Sequence, residues 1–263
     1  MLLDVRGLRG GYGGGDVVKD VSFRAEGGEI IFLAGPNGCG KTTLLRLLLG
    51  QLPAAGGAVL AEGQDLRTLS PRARANLIAY IPQQHTPIFS YTALEVVLMG
   101  RASHFSAFDA PRAADREAAF AALERLGAGY LANRSCLSLS GGQRQMVLIA
   151  RAVCQSAKIF LMDEPAANLD YANQQLLLDT AAELARWGCC VLMSTHSPEH
   201  LFAAGHKVLL MREGRAAAFG PPEEVVTPQS LEAVYGVEMD VASVRDRYGA
   251  ARTVCLPVRR PKD

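Results

Sequence analysis

The sequence predicts an α/β fold in which a largely parallel sheet is covered by helices on both faces. Three observations carry that prediction. Four short apolar runs, at residues 30–34, 78–82, 158–162 and 189–194, read as strands; the first lacks alternation, as a strand buried on both faces does, and 158–162 is also a buried strand. Helical stretches separate them, the pattern of parallel strands joined by crossovers. The 263 residues, 49% hydrophobic and 20% charged, suffice for a sizeable core; at roughly 150 residues per domain they make one large domain or a core with a smaller lobe.

Taken in order, a glycine-rich patch at residues 10–15, interrupted by Tyr12, precedes an alternating strand marked by Val21, Phe23 and Ala25. Gly27-Gly28 turns the chain into the buried run at 30–34. From Lys41, the leucines Leu44, Leu45, Leu47, Leu48 and Leu49 make a mostly buried helix ending at Gly50. Residues 58–61 form a short strand, and Ser70 before Pro71 supplies an N-cap and a first-turn proline for a brief helix. Between about residues 89 and 154 the character changes: Thr92-Ala-Leu-Glu95 is a capping box, 115–126 is alanine-rich helix, and 143–154 is apolar on most sides. This stretch is a helical insertion between strands. A helix at 172–187 places Leu177, Ala181 and Leu184 on one face, and 208–211 pairs with 216–219 through Glu213-Gly214 as a hairpin. Pro221-Pro222 opens a C-terminal appendage of mixed charge. No repeat of 20 to 50 residues is found, which argues against solenoids and propellers.

The net charge of +1 leaves no basic footprint for neutralising phosphates along a polymer, so nucleic acid is not an expected partner. The apolar runs fall far short of the roughly 20 residues that cross a bilayer, and Met1 is followed by no export signal, so the chain is expected to be soluble and unexported. Cys39, Cys136, Cys154, Cys189, Cys190 and Cys255 form no C-x-x-C pair, which favours free thiols in a reducing compartment over disulfides or zinc.

Chemistry concentrates at three places. Gly35-Pro-Asn-Gly-Cys-Gly40-Lys41-Thr42 matches G-x-x-x-x-G-K-[ST] and lies between a buried strand and a helix, where that pattern cradles a triphosphate. Lys41 is expected on the β/γ-phosphates and Thr42 on Mg²⁺. Asp163-Glu164 ends the strand at 158–162, at the carboxyl edge where parallel sheets present ligands. Burying adjacent acids is costly unless a cation or a reaction uses them. Asp163 suits the magnesium shell through water, and Glu164 suits a water polarised for attack on the γ-phosphate. Leu139-Ser-Gly-Gly-Gln143 offers a hydroxyl, glycine amides and a helix N-terminus, a second anion site.

In that order, the phosphate loop, Gln83, Leu139-Ser-Gly-Gly-Gln143, Asp163-Glu164, Asn168-Leu-Asp170 and His196 resemble the ATP-binding cassette (ABC) ATPase family over about residues 1–220. The resemblance implies an α/β P-loop NTPase (RecA-like) core with a mixed sheet, an antiparallel β subdomain and an inserted α-helical subdomain. On that division the core is residues 1–85 and 155–220, the helical subdomain 86–154, and the appendage 221–263. It implies ATP and Mg²⁺ as ligands and a head-to-tail pair of chains, in which Ser140, Gly141, Gly142 and Gln143 of one chain cap the ATP held by the other. By resemblance, Gly35, Asn37, Gly38, Gly40, Lys41, Thr42 and Thr43 hold the nucleotide and Tyr12 stacks on adenine. Gln83 senses Mg²⁺ and the lytic water, with Gln84 beside it an equal candidate by position. Asp170 reaches across the pair and His196 holds the γ-phosphate. Taken on its residue alone, Tyr12 is a turn residue and His196 a capped surface residue. His85, His104, His200 and His206 match nothing in the family and are read as surface or packing residues. Cys39 departs from the serine common in the loop, and Ala166-Ala167-Asn168 from the usual Thr-Ser-Ala.

A finer resemblance, to ATPase subunits of bacterial importers for iron–siderophores, haem, cobalamin and in some branches molybdate or tungstate, rests on three stretches. These are Tyr91-Thr-Ala-Leu-Glu-Val-Val-Leu-Met-Gly-Arg101 with Phe105-Ser-Ala-Phe108, Tyr171-Ala-Asn-Gln174, and Ser194-Thr-His-Ser-Pro-Glu199. It implies attachment to a membrane permease at the cytoplasmic side of the inner membrane, with a substrate-binding protein as an indirect partner. The aromatics Phe89, Tyr91, Phe105 and Phe108, with few charges around them, read either as a groove for a permease helix or as core of the helical lobe. The alternative of another class is a soluble, non-transport ABC ATPase acting as an assembly scaffold of the iron–sulfur type.

Overall fold

In the computed structural model, which describes residues 1–83, 90–104, 110–167 and 169–258, two main sheets divide the strands. Gln84, His85, Phe89, Phe105, Phe108 and Asn168 lie outside the described residues. The chain opens with β1 (Leu3–Gly10), β2 (Val18–Ala25), β3 (Ile30–Ala34), α1 (Lys41–Leu49), β4 (Gly56–Ala61) and β5 (Gln64–Asp65). The order β2-β1-β4-β5 makes an antiparallel sheet. Sequence reading found no strand at β1. Its register slips between Val5 and Leu8, so its apolar side chains stop recurring every second residue.

There follow α2 (Pro71–Leu77), β6 (Ile78–Ile81), α3 (Ala93–Leu98), α4 (Ala113–Arg125), α5 (Gly141–Cys154), β7 (Ile159–Met162), α6 (Tyr171–Arg186), β8 (Cys190–Thr195), β9 (Lys207–Arg212) and β10 (Arg215–Gly220). The second sheet runs β10-β9-β3-β8-β7-β6, parallel except for β10, which returns antiparallel to β9 at one edge. The sheet is therefore mixed, as the family resemblance implies, and the expected hairpin at 208–219 is its antiparallel edge. β3 explains the missing alternation. Ile30, Phe32 and Ala34 face a core shared with the helical insertion and α6, whereas Ile31 and Leu33 face a second core shared with α1 and the antiparallel sheet.

Local signals in the sequence are used as expected. The Ser70 hydroxyl accepts from the Ala73 amide at 3.2 Å to start α2, Thr92 and Glu95 close a capping box on α3, and Gly50 ends α1 at φ 71°. Arg125 at the end of α4 lies over the Trp187 ring, 3.4 Å from its centroid, and so ties the helical insertion to the end of α6.

Beyond Pro221 the chain forms α7 (Pro222–Val225), α8 (Pro228–Tyr235) and a hairpin of β11 (Met239–Arg245) with β12 (Ala251–Pro257). Val226, Leu231, Val234 and Cys255 are buried in the core that contains Phe32 and Leu210. β12 also packs against the 3-10 turn Pro198–Phe202. No helix among the described residues is long and apolar enough to cross a membrane. Leu231 is fully buried in α8, so Leu231→Ala is expected to cost about 2–5 kcal/mol of stability. Chemical denaturation of the whole chain measures this, and a loss below about 1 kcal/mol would show that α8 is only loosely attached.

Candidate active site

The chain leaves β3 and turns through Gly35, Gly38 and Gly40 at φ 153°, 79° and 108°. At Gly35 a Cβ would collide with the Met211 carbonyl of β9, so the close approach of loop and sheet requires glycine. α1 begins at Lys41 with no side-chain cap, because Gly40 provides none. The first-turn amides are thus left without a side-chain acceptor, at the positive end of a helix that presents them to an anion. Lys41, 5% exposed, is folded back: its Nζ donates to the carbonyls of Gly35 at 2.8 Å and Pro36 at 3.2 Å. Cys39 is buried within the loop, and burial pushes its thiol pKa up, so it stays neutral. Asn37 and Gly38 are exposed at the tip, and Thr43 is buried in the first turn of α1.

Asp163, 3% exposed at the end of β7, is held by hydroxyls. Thr42 Oγ1 donates to its Oδ1 at 3.1 Å, Ser194 Oγ to the same oxygen at 2.9 Å, and the Tyr80 hydroxyl to Oδ2 at 3.3 Å. Burial first, then the charge of Asp163, pushes the Tyr80 phenol up to about 12, so it remains a donor. Among the described residues no lysine or arginine forms an ion pair with Asp163. A buried carboxylate beside a threonine hydroxyl is a set of hard oxygen donors that fits Mg²⁺.

Glu164 adopts φ 41°, a left-handed conformation that costs a non-glycine residue energy and recurs at functional sites. Its amide donates to Ser194 Oγ at 2.7 Å, which holds the strained turn. The side chain gathers three predicted partners. Glu164 Oε1 lies 3.7 Å from Lys41 Nζ, and Oε2 accepts from Gln83 Nε2 at 3.1 Å and lies 3.4 Å from His196 Nδ1. A cleft of about 500 Å³ opens over them, lined by Gln83, Glu164, Gln174, Ser194, His196 and His200 among others.

Two lining residues escaped the sequence reading. In the sequence Ser194 counts as a strand end and as the first residue of the 194–199 stretch, with no role of its own, although a hydroxyl closing an apolar strand is a signal of use. His200 was read as surface or packing. It is half-buried in the cleft wall, with Nδ1 3.1 Å from Thr195 Oγ1, which itself accepts from the Ser197 amide at 3.0 Å. Burial lowers the His200 pKa. His104 and His206 do pack: His104 Nε2 lies 3.2 Å from the Gln155 carbonyl, and His206 Nδ1 accepts from the Ile30 amide at 3.1 Å.

The other predicted residues make side-chain contacts of their own, apart from Glu164 and Asp163. Ser140 caps α5: its hydroxyl accepts from the Gln143 amide at 3.3 Å while Gln143 Oε1 accepts from the Ser140 amide at 3.1 Å. Ser140 and Gly141 are exposed, whereas Gly142 is buried where a Cβ would strike the Asn173 side chain. Asn173 in turn donates, through its amide and Nδ2, to Asp170 Oδ1 at 2.8 Å each, which caps α6. None of these bonds reaches the phosphate loop among the described residues. Tyr12 is 56% exposed, and its hydroxyl accepts from Arg46 of α1 at 3.0 Å.

Known proteins resemble this chain in sequence and fold. The ABC transporter family profile matches residues 18–167. Hemin import ATP-binding protein HmuV of Myxococcus xanthus is 38% identical over 248 residues, covering 92% of each chain. Molybdate import ATP-binding protein MolC of Haemophilus influenzae is 36% identical over 223 residues, covering 84% of this chain and 82% of its own. Among solved structures, an inward-facing ABC transporter described as of metal-chelate type superposes with a TM-score of 0.88 at 32% identity, over 98% of both chains. The profile takes in the phosphate loop and both carboxylates, and the relatives align over most of the fold. This chain therefore belongs to the ABC transporter family, as an ATP-binding, ATP-hydrolysing subunit.

Proposed function

We propose that the protein powers an importer of a metal-containing solute, of the haem, iron-chelate, cobalamin or molybdate/tungstate kind, by closing two copies of itself around ATP. The observation that carries the reading is the meeting of Lys41, Gln83 and His196 on the one strained carboxylate, Glu164. On this reading Lys41 exchanges its loop carbonyls and Glu164 for the β/γ-phosphates of the substrate. The amides of Gly38, Gly40 and α1 follow the phosphate chain, with Asn37 and Thr43 on the same loop, and Tyr12 stacks on the base. Thr42, Asp163 and Gln83 would hold Mg²⁺, which when bound neutralises charge on the transferring phosphoryl group. Glu164 then accepts a proton from the attacking water, and His196 keeps the γ-phosphate in line. Tyr80 and Ser194 keep Asp163 oriented.

The reading of a second copy is supported by where the bonds of the Ser140 cap go. Ser140 and Gly141 expose a hydroxyl and a helix N-terminus whose bonds stay on their own chain. Head-to-tail pairing puts this cap, with Asp170, over the partner's nucleotide. A groove of about 400 Å³ between α2 and the helical insertion, lined by Leu49, Pro71, Tyr80, Met99 and Arg151 among others, suits a short permease helix. That attachment would hold the chain at the inner face of the membrane, with a substrate-binding protein acting on the far side. Relatives that serve import favour transport over a soluble assembly scaffold.

Glu164→Gln is expected to bind MgATP, lower kcat about 10²–10⁴-fold and accumulate a nucleotide-bound dimer, read by steady-state ATPase assay and light scattering. Unchanged turnover would remove Glu164 from the role of base. Lys41→Ala is expected to weaken MgATP binding at least about tenfold in a titration, because the cation that this reading moves onto the phosphates is lost. In the Glu164→Gln background, Ser140→Arg is expected to leave MgATP bound to a monomer. A dimer of normal stability in that double variant would refute the cap. Recovery of a multi-span permease with the chain from detergent-solubilised membranes supports transport, and recovery of soluble assembly factors alone would support the scaffold.

A further inference from the structure

The phosphate loop has a second contact, made from behind by the C-terminal helix. α8 starts on a capping box of Thr227 and Ser230, buries Leu231 and Val234, and ends on Gly236 at φ 71°. The Arg212 guanidinium donates to the Ala233 carbonyl and ties its last turn to β9, whose Met211 carbonyl lies against Gly35. These anchors place Tyr235, the last residue of α8, beside the loop. Its hydroxyl is enclosed near the Gly35 backbone amide and the Cys39 thiol, within reach of that amide but without a hydrogen bond of regular geometry among the described residues. Burial pushes its pKa up to about 12, so the group stays neutral, with its oxygen free to accept from the Gly35 amide.

A buried hydroxyl without a partner is destabilising, and phenylalanine would fill the same space without that cost. The hydroxyl is informative because of what it faces. Gly35 is where β3 gives way to the loop, and its backbone has both the Met211 carbonyl and Tyr235 as neighbours. We propose that Tyr235 is a positioning residue for the phosphate loop: a small shift of the loop backbone at Gly35 completes a hydrogen bond to its hydroxyl, and bound nucleotide favours the same loop geometry. Part of the nucleotide affinity is then held by the C-terminal helix, a coupling between segments about 200 residues apart in sequence. The inference rests on the nucleotide reading of that loop.

Tyr235→Phe in the full chain tests it. The dissociation constant for MgATP is expected to rise about five- to tenfold, the worth of one neutral hydrogen bond. The unfolding midpoint without nucleotide is expected to equal or exceed that of the unsubstituted chain. A merely structural tyrosine gives the opposite pattern, a lower midpoint, and a fall in stability and affinity together would overturn the proposal, as would an unchanged dissociation constant. Two controls separate this failure from failure of the nucleotide reading. If the unsubstituted chain binds MgATP and Lys41→Ala does not, while Tyr235→Phe binds normally, the positioning role alone is lost; absence of MgATP binding by the unsubstituted chain would overturn both.

Discussion

The parallel register of β3, β8 and β7 is the constraint on which the site depends. Ala34 pairs with Thr195, and Met162 with Met193, so three strands end along one edge of the sheet. At that edge the backbone emerges as the phosphate loop, the Asp163-Glu164 turn and the Ser194–His196 segment, which are remote in sequence. A slip of one residue in any of these pairings would turn Asp163 away from Thr42 or His196 away from Glu164. Register is well fixed here because both faces of these strands are buried, each in its own core.

Within that frame one hydroxyl joins the two halves of the chemistry. Ser194 Oγ donates to Asp163 and accepts from the Glu164 amide, so a single side chain from β8 sets both the buried acid and the strained turn of β7. Six side chains, Thr42, Tyr80, Ser194, Lys41, Gln83 and His196, surround Asp163 and Glu164 from different strands and loops. An inward carboxylate is tolerated because hydroxyls answer its lone pairs, and the neighbouring carboxylate is answered by Lys41, Gln83 and His196.

Much of this was legible in the sequence. The buried strands could be read because a strand covered on both faces has no polar positions to interrupt it, and the helix starts because Ser70 and Thr92 carry their own capping chemistry. The phosphate loop and the Asp163-Glu164 pair could be read because their spacing is local. Three things were not legible. β1 hid behind its register slip at Gly7. His200 and Ser194 depend on which elements come together in space, and no local pattern reports that. The segment after Pro221 gave no function from composition, because Leu231, Val234 and Cys255 are scattered along it and acquire a packing role only against Phe32 and Leu210.

That last packing has a bearing on biogenesis. The β3 face carrying Phe32 is made well before part of its cover, because Leu231, Val234 and Cys255 follow it by about 200 residues or more. Such long-range closure is slow to form, and until it occurs the nascent chain displays an apolar sheet surface, a natural substrate for chaperones.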